Sequence, residues 1–273
     1  MRHIVILLIG FFTVINCYGQ DAEEKNSLSL SFGPGYIMRQ DVIFSPFIHS
    51  DFSLLNMGLD YIHQAKIFQK VSLRFGSFNP MVSNPYYFTV HGGTVTAYPH
   101  YFNLIDIDYL IGKAIMETEK STLMVGGVFS TDIQALNYVY GRFSSFGYYS
   151  SFGLGVFGRY SFAINDKHRI VTSLQLPFLA WLSRPPYMGI DDEFIENISS
   201  HSGFKTLMAF ISDGELVTWN RLQTFDAGLT YRYSLNEKWD LGAGYLFEFV
   251  HANQPQELIS FRNSISISLT IRF

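Results

Sequence analysis

Few residues in this 273-residue chain are placed to do chemistry. The eight histidines are scattered and show no metal-ligand spacing, so no metal site is expected. Cys17 is the single cysteine, and it lies at the end of an N-terminal apolar run. If that run is removed, neither a disulfide nor thiol chemistry remains. Ile15 and Asn16 before it are not the small residues that a lipidation signal would carry. The pairs Gly92-Gly93 and Gly126-Gly127 are not followed by the helix that a phosphate-binding loop requires, so no nucleotide or other cofactor is expected. Asp191-Asp192-Glu193 is the one tight acidic cluster in the longest loop. It fits a calcium site or the start of a short solvated helix over Asp191 to Ser200. His251 and Glu257 bring an imidazole near a carboxylate, but Asn253 offers no nucleophile between them. Acyl transfer needs an activated hydroxyl or thiol, so no complete catalytic constellation is read here.

The remaining ionisable residues are more regular, and the elements that carry them explain why. From Ser264 to Phe273, Ser264, Ser266, Ser268, Thr270 and Arg272 alternate with Ile265, Ile267, Leu269, Ile271 and Phe273. Period-two alternation puts all apolar side chains on one side of a strand. The same pattern runs through Phe225–Ser234, Trp239–Phe249 and Ser151–Phe162. It recurs less cleanly near 26–38, 51–64, 66–78, 100–115, 121–137 and 169–182. Parity sets Asp60, Arg74, Asp106, Asp108, Arg159, Asp226, Arg232, Asp240, Glu248, Arg262 and Arg272 on the polar faces. Arginine on a lipid face would cost about 2–4 kcal/mol near the midplane, so these faces are expected to enclose a lumen in which acids and arginines form one network. Glycines share those faces, as a crowded interior requires.

The connections alternate too. Gln64-Ala65-Lys66, Glu117-Thr118-Glu119-Lys120, Asn165-Asp166-Lys167-His168 and Asn236-Glu237-Lys238 are tight and polar. Longer links lie near 39–50, 79–99, 138–148, 183–220 and 252–258. Short turns at one end and long loops at the other are the pattern of bacterial outer-membrane barrels. Lys25, Lys66, Lys120, Lys167 and Lys238 all fall at the short-turn end. Ten strands result, with the Asp213-Gly214 signal read as the turn of a hairpin within 204–222 that extends a long loop. Twelve strands is the alternative. Tyr36, Tyr101, Tyr109, Tyr149, Tyr233 and Trp239 sit at strand ends, where interfacial girdles form. A periplasmic β-sandwich would need more surface charge than a chain of 17% aromatic and only 15% charged residues carries.

Arg2 and His3 followed by the apolar run Ile4–Ile15 read as a signal peptide over residues 1–19, cleaved after Gly19 or Gln20. Residues 20–273 then form one barrel domain, since no later stretch is apolar enough for a helical span. A net charge of −4 gives no reason to expect nucleic acid.

The final strand with its terminal aromatic, Phe273, resembles the signal read by the barrel-assembly machinery. With the Gly-Gln signal end and the Tyr- and Phe-rich strands, the chain resembles porin-like outer-membrane barrel proteins of Bacteroidota. That resemblance implies a transmembrane antiparallel up-and-down β-barrel in the outer membrane, and carries no catalytic residues. The expected partners are the lipid bilayer, the assembly machinery and another envelope protein. The expected function is a small porin or a structural, partner-binding envelope component. The alternative is a rim-active hydrolase acting on lipid or peptide. His251-Ala252-Asn253 resembles the His-x-Ser-Asn pattern of outer-membrane phospholipases and lipid A deacylases, with asparagine where their serine stands. Ten strands and the acidic cluster resemble the omptin proteases. Exposed aromatics in Pro85-Tyr86-Tyr87-Phe88 and Arg184-Pro185-Pro186-Tyr187-Met188 fit glycan, lipid or protein contacts as well as plain anchoring.

Overall fold

The computed structural model describes residues 25–140, 143–185 and 203–273. The expected signal peptide, the acidic cluster Asp191-Asp192-Glu193 and the stretch Pro186-Tyr187-Met188 lie outside them. The elements in chain order are β1 (Lys25–Asp41), β2 (Ser45–Gln64), β3 (Phe68–Phe78), β4 (Tyr86–Val90), β5 (Gly93–Ala97), β6 (His100–Glu117), β7 (Ser121–Tyr140), β8 (Phe143–Ala163) and β9 (His168–Ser183). They continue with helix α1 (Gly203–Ser212), β10 (Glu215–Thr218), β11 (Leu222–Ser234), β12 (Trp239–Ala252) and β13 (Leu258–Arg272).

Ten of these strands form a closed antiparallel barrel, in the order β1-β2-β3-β6-β7-β8-β9-β11-β12-β13 and back to β1. The seam pairs Ser27 with Arg272 and Asp41 with Leu258. Closure leaves no strand edge in the barrel wall, which a sheet in hydrocarbon requires. Side-chain parity explains which face is which. On β13, Ile265 and Ile267 are 61% and 72% exposed on the outer wall, whereas Arg262 between its partners is 8% exposed. The outer wall therefore carries Leu, Ile, Phe and Tyr, with phenylalanines Phe225, Phe249 and Phe261 packed side by side at about 5 Å.

Two expected long links are largely strand, and the link 252–258 falls where expected. β1 and β2 run on to Asp41 and from Ser45, and β7 and β8 to Tyr140 and from Phe143. The alternation continues there in polar guise: Arg39, Asp41, His49 and Asp51 are all buried and inward-facing, so a search for apolar periodicity loses the strand. The link 79–99 contains the β4–β5 hairpin, turning through His91 and Gly92 at φ 48° and 80°. Both turn residues have positive φ, the signature of a type I′ turn, and glycine meets that demand without strain.

The expected hairpin at 204–222 is corrected: its first half is helix α1, and Asp213-Gly214 closes that helix through Asp213 N–H to Ala209 O at 3.3 Å. Residues 203–212 lack period-two alternation, and Leu207 and Phe210 are spaced for one side of a helix. α1 lies on the outer wall, where Phe210 stacks on the outward-facing Tyr148 at 4.0 Å and Trp181 donates to Ile211 O. β10 then pairs with the far end of β9, Glu215 opposite Leu182. Tyr149 is also corrected: it points inward, 1% exposed, because it shares the parity of Gly147, which faces Phe44 inside the barrel.

Candidate functional site

Parity aims a set of polar side chains into the lumen, and their heights divide it into three levels. At the centre, β3, β6, β11, β12 and β13 converge two guanidinium groups on a carboxylate cluster. Arg74 Nη1 lies 2.9 Å from Asp108, its Nη2 lies 3.3 Å from Asp226 and 3.4 Å from Glu248, and its Nε lies 3.8 Å from Asp106. Arg262 donates to both Asp106 and Glu248. Asp132 on β7 is the register partner of Asp106 and lines the same space. A cavity of about 30 Å³ remains among Asp106, Asp108, Asp132, Asp226, Glu248 and Gln175. It has room for about one water.

Towards the long-loop end the lumen is filled by apolar and aromatic side chains. Ile37, Phe78, Phe102, Leu136 and Leu258 are completely buried there. Arg39 threads this level, giving Nε to Tyr138 Oη and Nη1 to Gln134 Oε1, each at 2.8 Å, with Asp41 at 3.3 Å. Arg184 bonds Asp41 at 3.0 Å and the carbonyls of Gln254 and Gln256, so the end of β9 is tied to the β12–β13 turn. Beside them a polar chain is sealed in. His49 and His100 share a hydrogen bond between their Nδ1 atoms at 3.3 Å, and His100 Nε2 lies 3.3 Å from Asp51. Asp51 in turn accepts the backbone N–H groups of Met81 and Val82, fixing the start of the β3–β6 loop.

At the short-turn end the filling is lopsided. Ile62, Phe68, Leu110, Met124, Val128 and Phe157 pack on one side. Gly112 is glycine because a Cβ there would meet Phe157 Cζ at 2.7 Å. On the other side Lys70 pairs with Asp60 and Arg272 with Asp240, both at 3.0 Å. Arg159 lies 5.2 Å over the Phe68 ring.

The structure thus brings six of the eleven sequence-predicted lumen residues into one cluster: Arg74, Asp106, Asp108, Asp226, Glu248 and Arg262. Asp60, Asp240 and Arg272 belong to two separate pairs lower down. Arg159 and Arg232 lie within 4.0 Å of no carboxylate among the described residues, so the expectation of one balanced network is corrected. All eleven point inward, as parity requires. The reading missed Asp132, in a strand whose outer face is interrupted by Gly127 and Thr131, and Arg39, Asp41, His49 and Asp51, which fell in an assumed loop. It also missed Arg169, beside a turn. His251 bonds locally, 3.3 Å from Gln223 and 3.7 Å from Glu257, with no serine or threonine hydroxyl bonded to it among the described residues. No group of three or more His, Cys, Asp or Glu among the described residues is arranged to hold a metal ion.

No protein-family model and no curated protein sequence matches the chain. Among solved structures, the outer membrane protease OmpT from Escherichia coli is similar, with a TM-score of 0.58 at 6% identity over 94% of this chain and 99% of that one. The translocator domain of the autotransporter NalP from Neisseria meningitidis has a TM-score of 0.41 at 9% identity, over 100% of this chain and 96% of that one. Neisserial surface protein A has a TM-score of 0.38 at 10% identity, over 91% and 97%. At 6% identity the likeness to OmpT establishes the fold alone: a closed antiparallel barrel of the outer-membrane type.

Proposed function

We propose that the chain is an integral outer-membrane barrel, its short turns in the periplasm, which neither conducts nor catalyses and instead serves as a partner-binding component of the envelope. The outward band of Leu, Ile, Phe and Tyr and the absence of an open edge in the wall support the membrane location. The observation that carries the non-conducting reading is the long-loop level. Ile37, Phe102, Leu136 and Leu258, all at 0% exposure, close the lumen across its width, with Arg39 at 1% pinned among them. Ions would have to cross this level after leaving the acidic centre, and Arg39, the cation pinned in it, is already bonded to Tyr138, Gln134 and Asp41. The histidine–carboxylate chain His49–His100–Asp51 is buried at the same level.

Planar-bilayer recording tests this directly. Insertion is verified by heat-modifiable mobility on gels, and the full chain is expected to give no discrete conductance steps at either polarity. Reproducible steps from inserted protein would refute the seal and restore the small-porin reading.

A further inference from the structure

The short-turn level carries an electrostatic arrangement that a purely structural lumen does not need. Arg169 on β9 and Arg232 on β11 are direct register partners and both face inward. Like charges placed opposite each other on paired strands are destabilising. Arg159, on the neighbouring β8, shares their face: its partner Ser173 stands two inward positions from Arg169 on the same strand. Among the described residues no carboxylate lies within 4.0 Å of any of the three, and the acids nearest in height are already committed, Asp60 to Lys70 and Asp240 to Arg272. Arg159 is held aimed into the lumen by the Phe68 ring beneath its guanidinium and by Met124 Sδ at 3.8 Å.

The charge is segregated along the axis. The centre holds two guanidinium groups against five carboxylates, a formal excess of three negative charges. The short-turn level holds Arg159, Arg169, Arg232, Arg272 and Lys70 against Asp60 and Asp240, a formal excess of three positive charges. Parity alone would have let these sets neutralise one another, and the register keeps them apart. Solvent reaches this level: side-chain exposure rises from 10% at Arg262 and 20% at Arg74 to 39% at Arg272. The short turns set Lys66, Lys120, Lys167 and Lys238 beside Glu117, Glu119, Asp166 and Glu237, so they add no net charge and the positive excess belongs to the lumen itself. A concave positive site concentrates anions, and guanidinium groups bind oxyanions through paired N–H donors.

We infer that the periplasmic mouth of the lumen is a binding site for a phosphate group, held by Arg159, Arg169 and Arg232. Thr230, the inward neighbour of Arg232, adds a hydroxyl donor on the same wall. The phosphate can be free or part of a larger periplasmic phosphomonoester. The site lies below the seal and does not depend on whether the barrel conducts.

The test is calorimetric titration of the full chain in detergent with inorganic phosphate, with glycerol 3-phosphate as the phosphomonoester and succinate as a dicarboxylate control. Saturable one-to-one phosphate binding is expected, weakened at least tenfold in R169Q and in R232Q and unchanged in K113Q, whose side chain is on the outer wall. R169K keeps the charge without the paired donors and is expected to fall between. Tighter binding of the monoester than of free phosphate would identify an organic phosphate as the ligand, and equal binding would identify the free ion. Absence of saturable phosphate binding by the wild-type chain would overturn the inference, as would binding untouched by R169Q and R232Q or succinate bound as tightly as phosphate.

Discussion

Replacing Arg262 by methionine removes the guanidinium that bridges Asp106 and Glu248, whose side chains are 1% and 8% exposed. Methionine fills a similar volume, so the loss is chiefly electrostatic. Removing one partner of a buried ion pair costs about 3–5 kcal/mol, because the other charge is left unpaired away from water. Arg74 offsets part of this, since it remains 3.4 Å from Glu248 and 3.8 Å from Asp106. The expected cost is therefore at the lower end, about 3 kcal/mol. Urea unfolding of the chain refolded into lipid vesicles, followed through its three tryptophans, gives the midpoint and slope from which this is read. Adding Asp106→Asn and Glu248→Gln to Arg262→Met discharges the stranded carboxylates and should recover more than half of the loss. A single-variant cost below about 1 kcal/mol, the range of exposed pairs, would refute the central cluster. So would a triple variant no more stable than the single one, because the cost would then come from packing.

A further outcome follows from the lower level. Gly112→Ala should destabilise by about 1–3 kcal/mol through overpacking against Phe157, and the double variant Gly112→Ala/Phe157→Leu should recover part of that in the same assay.

The fold was legible because a barrel in lipid imposes a single rule on every strand. Ile265, Ile267 and Leu269 must face outward, so Ser264, Ser266 and Ser268 must face inward, and one register slip would reverse them all. Ten strands, their order of turns and the inward direction of all eleven ionisable residues follow from that rule. What parity does not contain is height or partner. Arg74 and Arg232 look alike in sequence, each flanked by alternating apolar residues. Yet the register sets Arg74 beside Asp106 and Asp108, whereas Arg232 pairs with Arg169 on one side and Gly242 on the other. Height depends on the stagger between strands, which accumulates pair by pair around the closed wall until residues as far apart as Arg262 and Asp106 come level. The segment from Arg39 to Asp51 was hidden for a different reason. There the inner face exchanges serine and glycine for Arg39, Asp41, His49 and Asp51, while Val42, Phe47 and Ile48 are exposed. A register shift between Arg39 and Asp41 and the turn at 42–44 break the alternation that marks a strand, although the backbone pairing continues to Asp41 and Ser45. The parts most open to specific function, the buried upper level and the arginine-lined mouth, are thus the parts where alternation says least about partners.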